Sequence, residues 1–251
     1  MIVTLYGMRH SHPVLAVRLM LDRKQLRHNV RDVLPGLHPV VVRAAGFPGR
    51  TVPALRLGDR LVQGSLDISR ALDETVPDRP LFPADPEARA AVEAAERWAH
   101  DELQLVATHV FRWAGRVDNG VRAWMASEVL GWPAPLLLGH AFTPVMAYYA
   151  AIVGADADAV REDLARLPQL LDRADALFDE GVLGGPERTA ACCHVLASLR
   201  LLMAHAELAP IIAARRCGQA ALAATPHFPP GPRAAATVPP ALPPEWLPAG
   251  G

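Results

Sequence analysis

Residues 77–86, PDRPLFPADP, place four prolines in ten positions. Each proline fixes φ and removes a backbone N–H, so neither a helix nor a central strand runs through such a stretch. The segment predicts an interdomain linker, and it separates parts of the chain with different periods. Before it, short β-rich runs alternate with helical patterns. After it, apolar residues recur at helical spacing to about residue 223. A chain of 251 residues is long enough for two modest domains. The expected organisation is an α/β domain over 1–76, the linker, an all-α domain over 87–223 and a proline-rich tail over 224–251.

In the front part, Ile2, Val3, Leu5 and Tyr6 form a run that is apolar on both faces, as in a central strand, and Gly7 ends it. Pro13 suits the first turn of a helix in which Val14, Val17 and Leu21 share a stripe. A weaker strand is expected over 27–33, followed by a poorly patterned stretch over 35–47 with one short helix. Residues 51–57 alternate as a strand with Pro53 at its start, where a proline is tolerated. Gly58 and Asp59 form a hairpin turn into a returning strand at Leu61 and Val62. Ser65, as N-cap, then opens a helix carrying Ile68, Ala71 and Leu72. The order is β-α-β-(α)-β-β-α.

Beyond the linker, Asp85, Pro86 and Glu87 supply a helix cap, a first-position proline and a first-turn acid. Apolar stripes follow, such as Val160, Leu164, Leu167 and Leu171, then Val195, Leu196, Leu199 and Leu202. Residues 132–154 contain no Asp, Glu, Lys or Arg, a length that could span a bilayer. Pro133, Pro135 and Pro144 interrupt them, which favours a buried helix of a globular domain. The N-terminus lacks the basic-then-apolar pattern of a signal peptide. The 25 Lys and Arg against 26 Asp and Glu offer no basic excess for nucleic acid. Cys192, Cys193 and Cys217 do not frame a secreted disulfide scaffold, and a cytoplasmic location is expected. Trp246 and Leu247, in the tail, are expected to dock on the body.

Taken in order, these segments resemble the glutathione transferase family. Residues 11–18, SHPVLAVR, resemble the family's turn from first strand to first helix, with Ser11 at the activating position. Residues 51–55, TVPAL, are similar to its cis-proline segment. Gly64 and Ser65, followed by Ile68 and Leu72, resemble the acid-Ser pair that starts its third helix, with Gly64 standing where an acid or amide is common. Residues 181–185 and 189–192 resemble the loop and capping box before its sixth helix, with Cys192 replacing the acid of the box. The resemblance implies a thioredoxin-like, glutathione-binding domain followed by an all-helical domain, assembled as a homodimer.

It also implies a site. Glutathione, as co-substrate, must be bound extended and its thiol, with a free pKa of about 8.5, ionised near neutral pH. Ser11 carries two readings: a hydroxyl facing that thiolate at a helix start, or a plain helix cap. A cis bond before Pro53 would turn the Val52 N–H and C=O toward the tripeptide like an added strand, the alternative being a trans proline at a strand edge. Ser65 and the free N–H groups of its helix suit a carboxylate. His38, Arg43 and Arg50 are candidates for the second carboxylate, or else solvated charges. His10 and His12, flanking Ser11, are expected at the surface. Trp98, His109, Trp113 and Trp124 are either walls of a pocket for an apolar second substrate or plain core.

Other chemistries find no support in the sequence. Cys192, Cys193 and His194 do not have metal-ligand spacing, and no metal is expected. Residues 11–14 lack both thiols of a C-x-x-C. There is no G-x-S-x-G elbow for a serine hydrolase. Two functions remain open. One is a transferase joining glutathione to a small apolar electrophile. The other is a non-catalytic binding or interaction protein on the same fold, favoured by Gly64 and the altered capping box. Neither nucleic acid nor membrane is an expected partner.

Overall fold

The computed structural model describes residues 2–129, 139–184, 187–228, 238 and 240–248. The front of the chain runs β1 (Val3–Gly7), α1 (His12–Arg23), β2 (Asn29–Asp32), α2 (His38–Ala44), β3 (Ala54–Leu57), β4 (Arg60–Gln63) and α3 (Ser65–Thr75). The sheet order is β2-β1-β3-β4, with β1 and β2 parallel and the other two pairings antiparallel. A parallel pair needs a crossover, which α1 provides. Strand β3 starts at Ala54, just past Pro53, which has no N–H to give a ladder.

Register determines what this sheet gathers. Gly7 lies opposite Asp32, Tyr6 opposite Ala54, and Ala54 opposite Gln63. The ends of β1, β2 and β4 and the beginning of β3 therefore share one end of the sheet. Ser11, Val52 with Pro53, and Ser65 all lie on segments that leave it there. Gly7 helps bring α1 to this end: a Cβ on it would come within 2.5 Å of Val14 Cγ2 in the first helical turn.

Strand parity sorts the core. Val42 and Phe47 cover Ala54, with Tyr6, Val52 and Leu61 packed around them, and the Tyr6 and Phe47 rings meet edge to face at 5.4 Å. Val3, Leu5, Leu55 and Leu57 point to the opposite face. Helices α1 and α3 pack on each other through stripes that include Val14, Val17, Ile68 and Leu72.

The helical part begins with α4 (Pro86–Trp98), where the Asp85 carboxylate accepts the Ala88 N–H at 2.9 Å, as the cap pattern predicts. A π-helical turn (Ala99–Leu103) leads into α5 (Gln104–Val117) and α6 (Asn119–Trp124), and a second π turn (Met125–Val129) follows. Then come α7 (Thr143–Ala151), α8 (Ala157–Asp179), α9 (Ala190–Leu202), α10 (Ala209–Ala213), α11 (Arg216–Ala224) and a 3-10 turn (Pro244–Trp246). Helix α8 is continuous through Pro168.

The buried helix expected over 132–154 is corrected in part. Residues 132–138 lie outside the described residues, and α7 buries only Met146 and Ala150, leaving Tyr148 62% exposed. Its apolar residues surround the helix instead of forming a stripe, so one side alone can meet α5. Among the described residues no helix is long and apolar enough to cross a membrane.

Contacts gather the chain into two compact units, residues 1–100 with 177–197 and residues 101–176 with 198–251. In the second unit side chains hold residues 241, 242 and 246 of the tail. Glu207 Oε1 accepts the Ala241 and Leu242 N–H groups at 2.6 and 2.8 Å. The Trp246 ring lies 5.1 Å from that of Trp113, so the expected docking of Trp246 occurs on α5.

Candidate functional site

Ser11 is the N-cap of α1, with φ −76° and ψ 118°, and its carbonyl accepts the Leu15 N–H at 2.9 Å. Its hydroxyl makes no capping hydrogen bond, and the residue is half-buried. The oxygen is therefore not engaged by the helix it precedes. The flanking histidines are both buried, at 8% exposure for His10 and 5% for His12, which corrects the surface placement expected for them. The turn from β1 into α1 carries their rings inward. Burial pushes the His10 pKa down to about 4, against the opposing field of Asp32, so this ring is neutral at pH 7.

The Val52–Pro53 peptide is cis. Pro53 is buried and its carbonyl accepts the Gly64 N–H at 3.0 Å, whereas Val52 is half-buried and its N–H and C=O make no hydrogen bond among the described residues. A side-chain clamp holds the loop before it. Gln63 Oε1 accepts the Gly49 N–H at 2.6 Å and Gln63 Nε2 donates to the Thr51 carbonyl at 3.0 Å. Sequence reasoning missed this role of Gln63, because a partner 14 residues upstream leaves no local signature.

Ser65 is the first residue of α3, not its cap. Gly64 occupies the N-cap with φ 89° and ψ 137°, a conformation that disfavours the Cβ of a serine. This corrects the expected cap and accounts for glycine where an acid or amide was anticipated. Ser65 is 4% exposed, and the N–H groups of Ser65, Leu66 and Asp67 make no backbone hydrogen bond in this first turn. Such an end attracts an anion. A Cβ placed on Gly64 would have only Asp67 Oδ2 nearby, at 4.0 Å.

Of the cationic candidates, Arg43 donates to the Pro48 carbonyl and so braces its own loop. Arg50 is exposed before the cis peptide, and His38 is half-buried at the start of α2. Trp98 is buried in the first unit, and His109, Trp113 and Trp124 are buried in the second, at 5–8% exposure. His109 has Asp163 and the Val153 carbonyl on its two nitrogens, which leaves neither for a ligand. The three cysteines are buried and free, and burial pushes the Cys192 thiol up to about 12, far from a reactive thiolate. Among the described residues no three His, Cys, Asp or Glu side chains converge on a metal position.

Residues 5–80 match the family described as the glutathione S-transferase N-terminal domain. No curated protein matches the chain. Among solved structures the chain is similar to a glutathione S-transferase from Rhodospirillum rubrum F11, at 18% identity and a TM-score of 0.62 over 98% of each chain. It is similar to glutathione transferase F7 from Populus trichocarpa, at 18% identity and a TM-score of 0.59 over 88% of this chain and 91% of that one. FzlA from C. crescentus gives 18% identity and a TM-score of 0.59 over 91% of this chain and 89% of that one. Residues 5–80 thus match the glutathione S-transferase N-terminal domain, and the whole chain has the glutathione transferase fold: a thioredoxin-like domain followed by helices.

Proposed function

From a chain with this fold, we propose that the protein binds glutathione at the end of its sheet and transfers it to a small apolar electrophile. One observation carries the reading: three sets of polar groups for which the described residues show no protein hydrogen bond leave the same sheet end, namely the Ser11 hydroxyl, the Val52 peptide groups and the first-turn N–H groups of α3. Their chemistry is complementary to an extended tripeptide. Val52 offers one donor and one acceptor to its backbone. Ser65 and the α3 N-terminus take a carboxylate. Arg50 and His38 are the candidates for the other carboxylate.

Ser11 donates its hydroxyl hydrogen to the sulfur. A donor that favours the charged form lowers a thiol pKa, and the start of α1 adds to the effect. Bound glutathione supplies the chemistry: its sulfur bonds to an electrophilic carbon while the leaving group departs with its electron pair. Holding both reactants in one site supplies much of the rate. A homodimer in the cytoplasm is the expected form.

A second reading, a binding protein without turnover, is favoured by Gly64, which brings no side chain to the ligand. The altered capping box no longer argues for it, because Thr189 Oγ1 still accepts the Cys192 N–H at 3.3 Å.

Titration calorimetry with glutathione and a conjugation assay on an aryl halide separate the two. The expected results are binding, and turnover that falls roughly 100- to 1000-fold in Ser11→Ala, the scale for removing one donor to a developing anion. Absence of binding ends the proposal. Equal turnover in both proteins removes Ser11 from the mechanism.

A further inference from the structure

The first turn of α3 is held from behind by a buried carboxylate. The Glu96 side chain, on α4, is 0% exposed. Its Oε1 accepts from Ser69 Oγ at 2.8 Å, and its Oε2 accepts from Arg70 Nη1. Both groups stand one turn behind Ser65 and both lie against the carbonyl of Leu66, Ser69 Oγ at 2.7 Å and Arg70 Nη1 at 3.3 Å, so that the single Ser69 hydroxyl hydrogen is shared between this carbonyl and Glu96. Arg70 Nη1 donates to Ser69 Oγ as well, at 2.7 Å, which closes the cluster. His194 Nε2, on α9, lies 3.5 Å from Glu96 Oε1. The Arg70 guanidinium rests over the Phe82 ring, 4.6 Å from its centre.

An apolar residue of similar volume would usually fill such a place at no loss of stability, so burial alone does not account for an acid there. Orientation does. The Leu66 carbonyl belongs to a planar peptide unit whose other polar group is the Asp67 N–H. Fixing the carbonyl from behind fixes the direction of that N–H in front, where α3 faces the sheet end.

We propose that Glu96 is a positioning residue of the glutathione site: through Ser69 and Arg70 it orients the Leu66–Asp67 peptide, and with it the Asp67 N–H that meets the ligand's carboxylate. The inference rests on the reading of this site as a glutathione site.

The test compares the full-length wild type with Glu96→Gln and Ser69→Ala, with Glu93→Gln on the exposed side of the same helix as control. Calorimetry with glutathione, steady-state kinetics and amide hydrogen exchange at Asp67 are measured on each. Both cluster variants are expected to bind glutathione roughly tenfold more weakly, the loss of about one charge-assisted hydrogen bond. The KM for glutathione should rise by the same factor. The kcat and the pH profile of thiol ionisation should hold, because Ser11 is untouched. With glutathione bound at saturation, exchange at Asp67 should be quicker in the cluster variants than in the wild type, and the control should match the wild type. Ser69→Ala keeps the test open should Glu96→Gln fold poorly. Wild-type affinity and unaltered Asp67 exchange in the cluster variants overturn this inference alone. A wild type that binds no glutathione overturns the glutathione reading, and this inference with it.

Discussion

Both ring nitrogens of His109 face acceptors, Asp163 Oδ2 at 2.7 Å from Nδ1 and the Val153 carbonyl at 2.9 Å from Nε2. Two acceptors are best met by two donors, which favours the imidazolium. Its pKa is raised, chiefly by the Asp163 hydrogen bond and against the effect of burial. The sign follows from linkage: a raised folded value stabilises fully below the unfolded value of about 6.5 and is lost as pH climbs through the folded value. Replacing His109 by Ala leaves the Asp163 carboxylate short of a partner and should destabilise by about 3 kcal/mol. Denaturant melts across pH 6–9 should show the wild type losing part of its advantage over the variant at the alkaline end. At Gly64 the cost of a side chain is conformational, since a Cβ there meets nothing closer than 4.0 Å. Gly64→Ala should lower stability by about 1–3 kcal/mol through its positive φ alone, as denaturant titration would show.

At the scale of elements, α3 is secured at both ends. Its start hangs on the Glu96 cluster, and its end on Lys24, the C-cap of α1, whose side chain is 0% exposed. The Lys24 ammonium meets Asp73 Oδ1 at 2.5 Å, the Val76 carbonyl at 2.6 Å and the Asp78 carbonyl at 3.3 Å, one acceptor for each N–H. Asp73 in turn accepts the Leu81 and Phe82 N–H groups at 2.8 and 3.1 Å, tying the proline-rich segment to the helix. Lys24→Met removes the only positive partner Asp73 has in this cluster and should cost about 3–5 kcal/mol. A shift of the urea midpoint with an unchanged slope would show it, whereas a change below 1 kcal/mol would show that Asp73 finds water instead. The elements themselves were legible in advance. Pro13, Asp85 and the alternation after Pro53 act within a few residues, so periodicity and fixed φ reveal them. Their clamps were not, because Lys24 and Val76 are 52 residues apart in the chain.

For the molecule as a whole, buried neutral histidines set the response to acid. Burial pushes His10 and His205 down to about 4 and His194 down to about 3. An unfolded histidine titrates at about 6.5, so on acidification the unfolded chain gains protons that these folded sites refuse. Stability should fall as pH drops from about 6.5 toward 4, with a declining melting temperature by circular dichroism, and His194→Leu should flatten the decline. The sequence by itself determined the strand and helix order, the proline break and a serine before the first helix. These follow from short-range sterics and spacing, which any stretch of chain carries within itself. Tertiary structure alone decided that His10 and His12 turn inward, that Gly64 and not Ser65 caps α3, and that Gln63, Lys24 and Glu96 serve as anchors. Burial and hydrogen-bond partnership depend on which distant segments arrive alongside, and no local pattern records that.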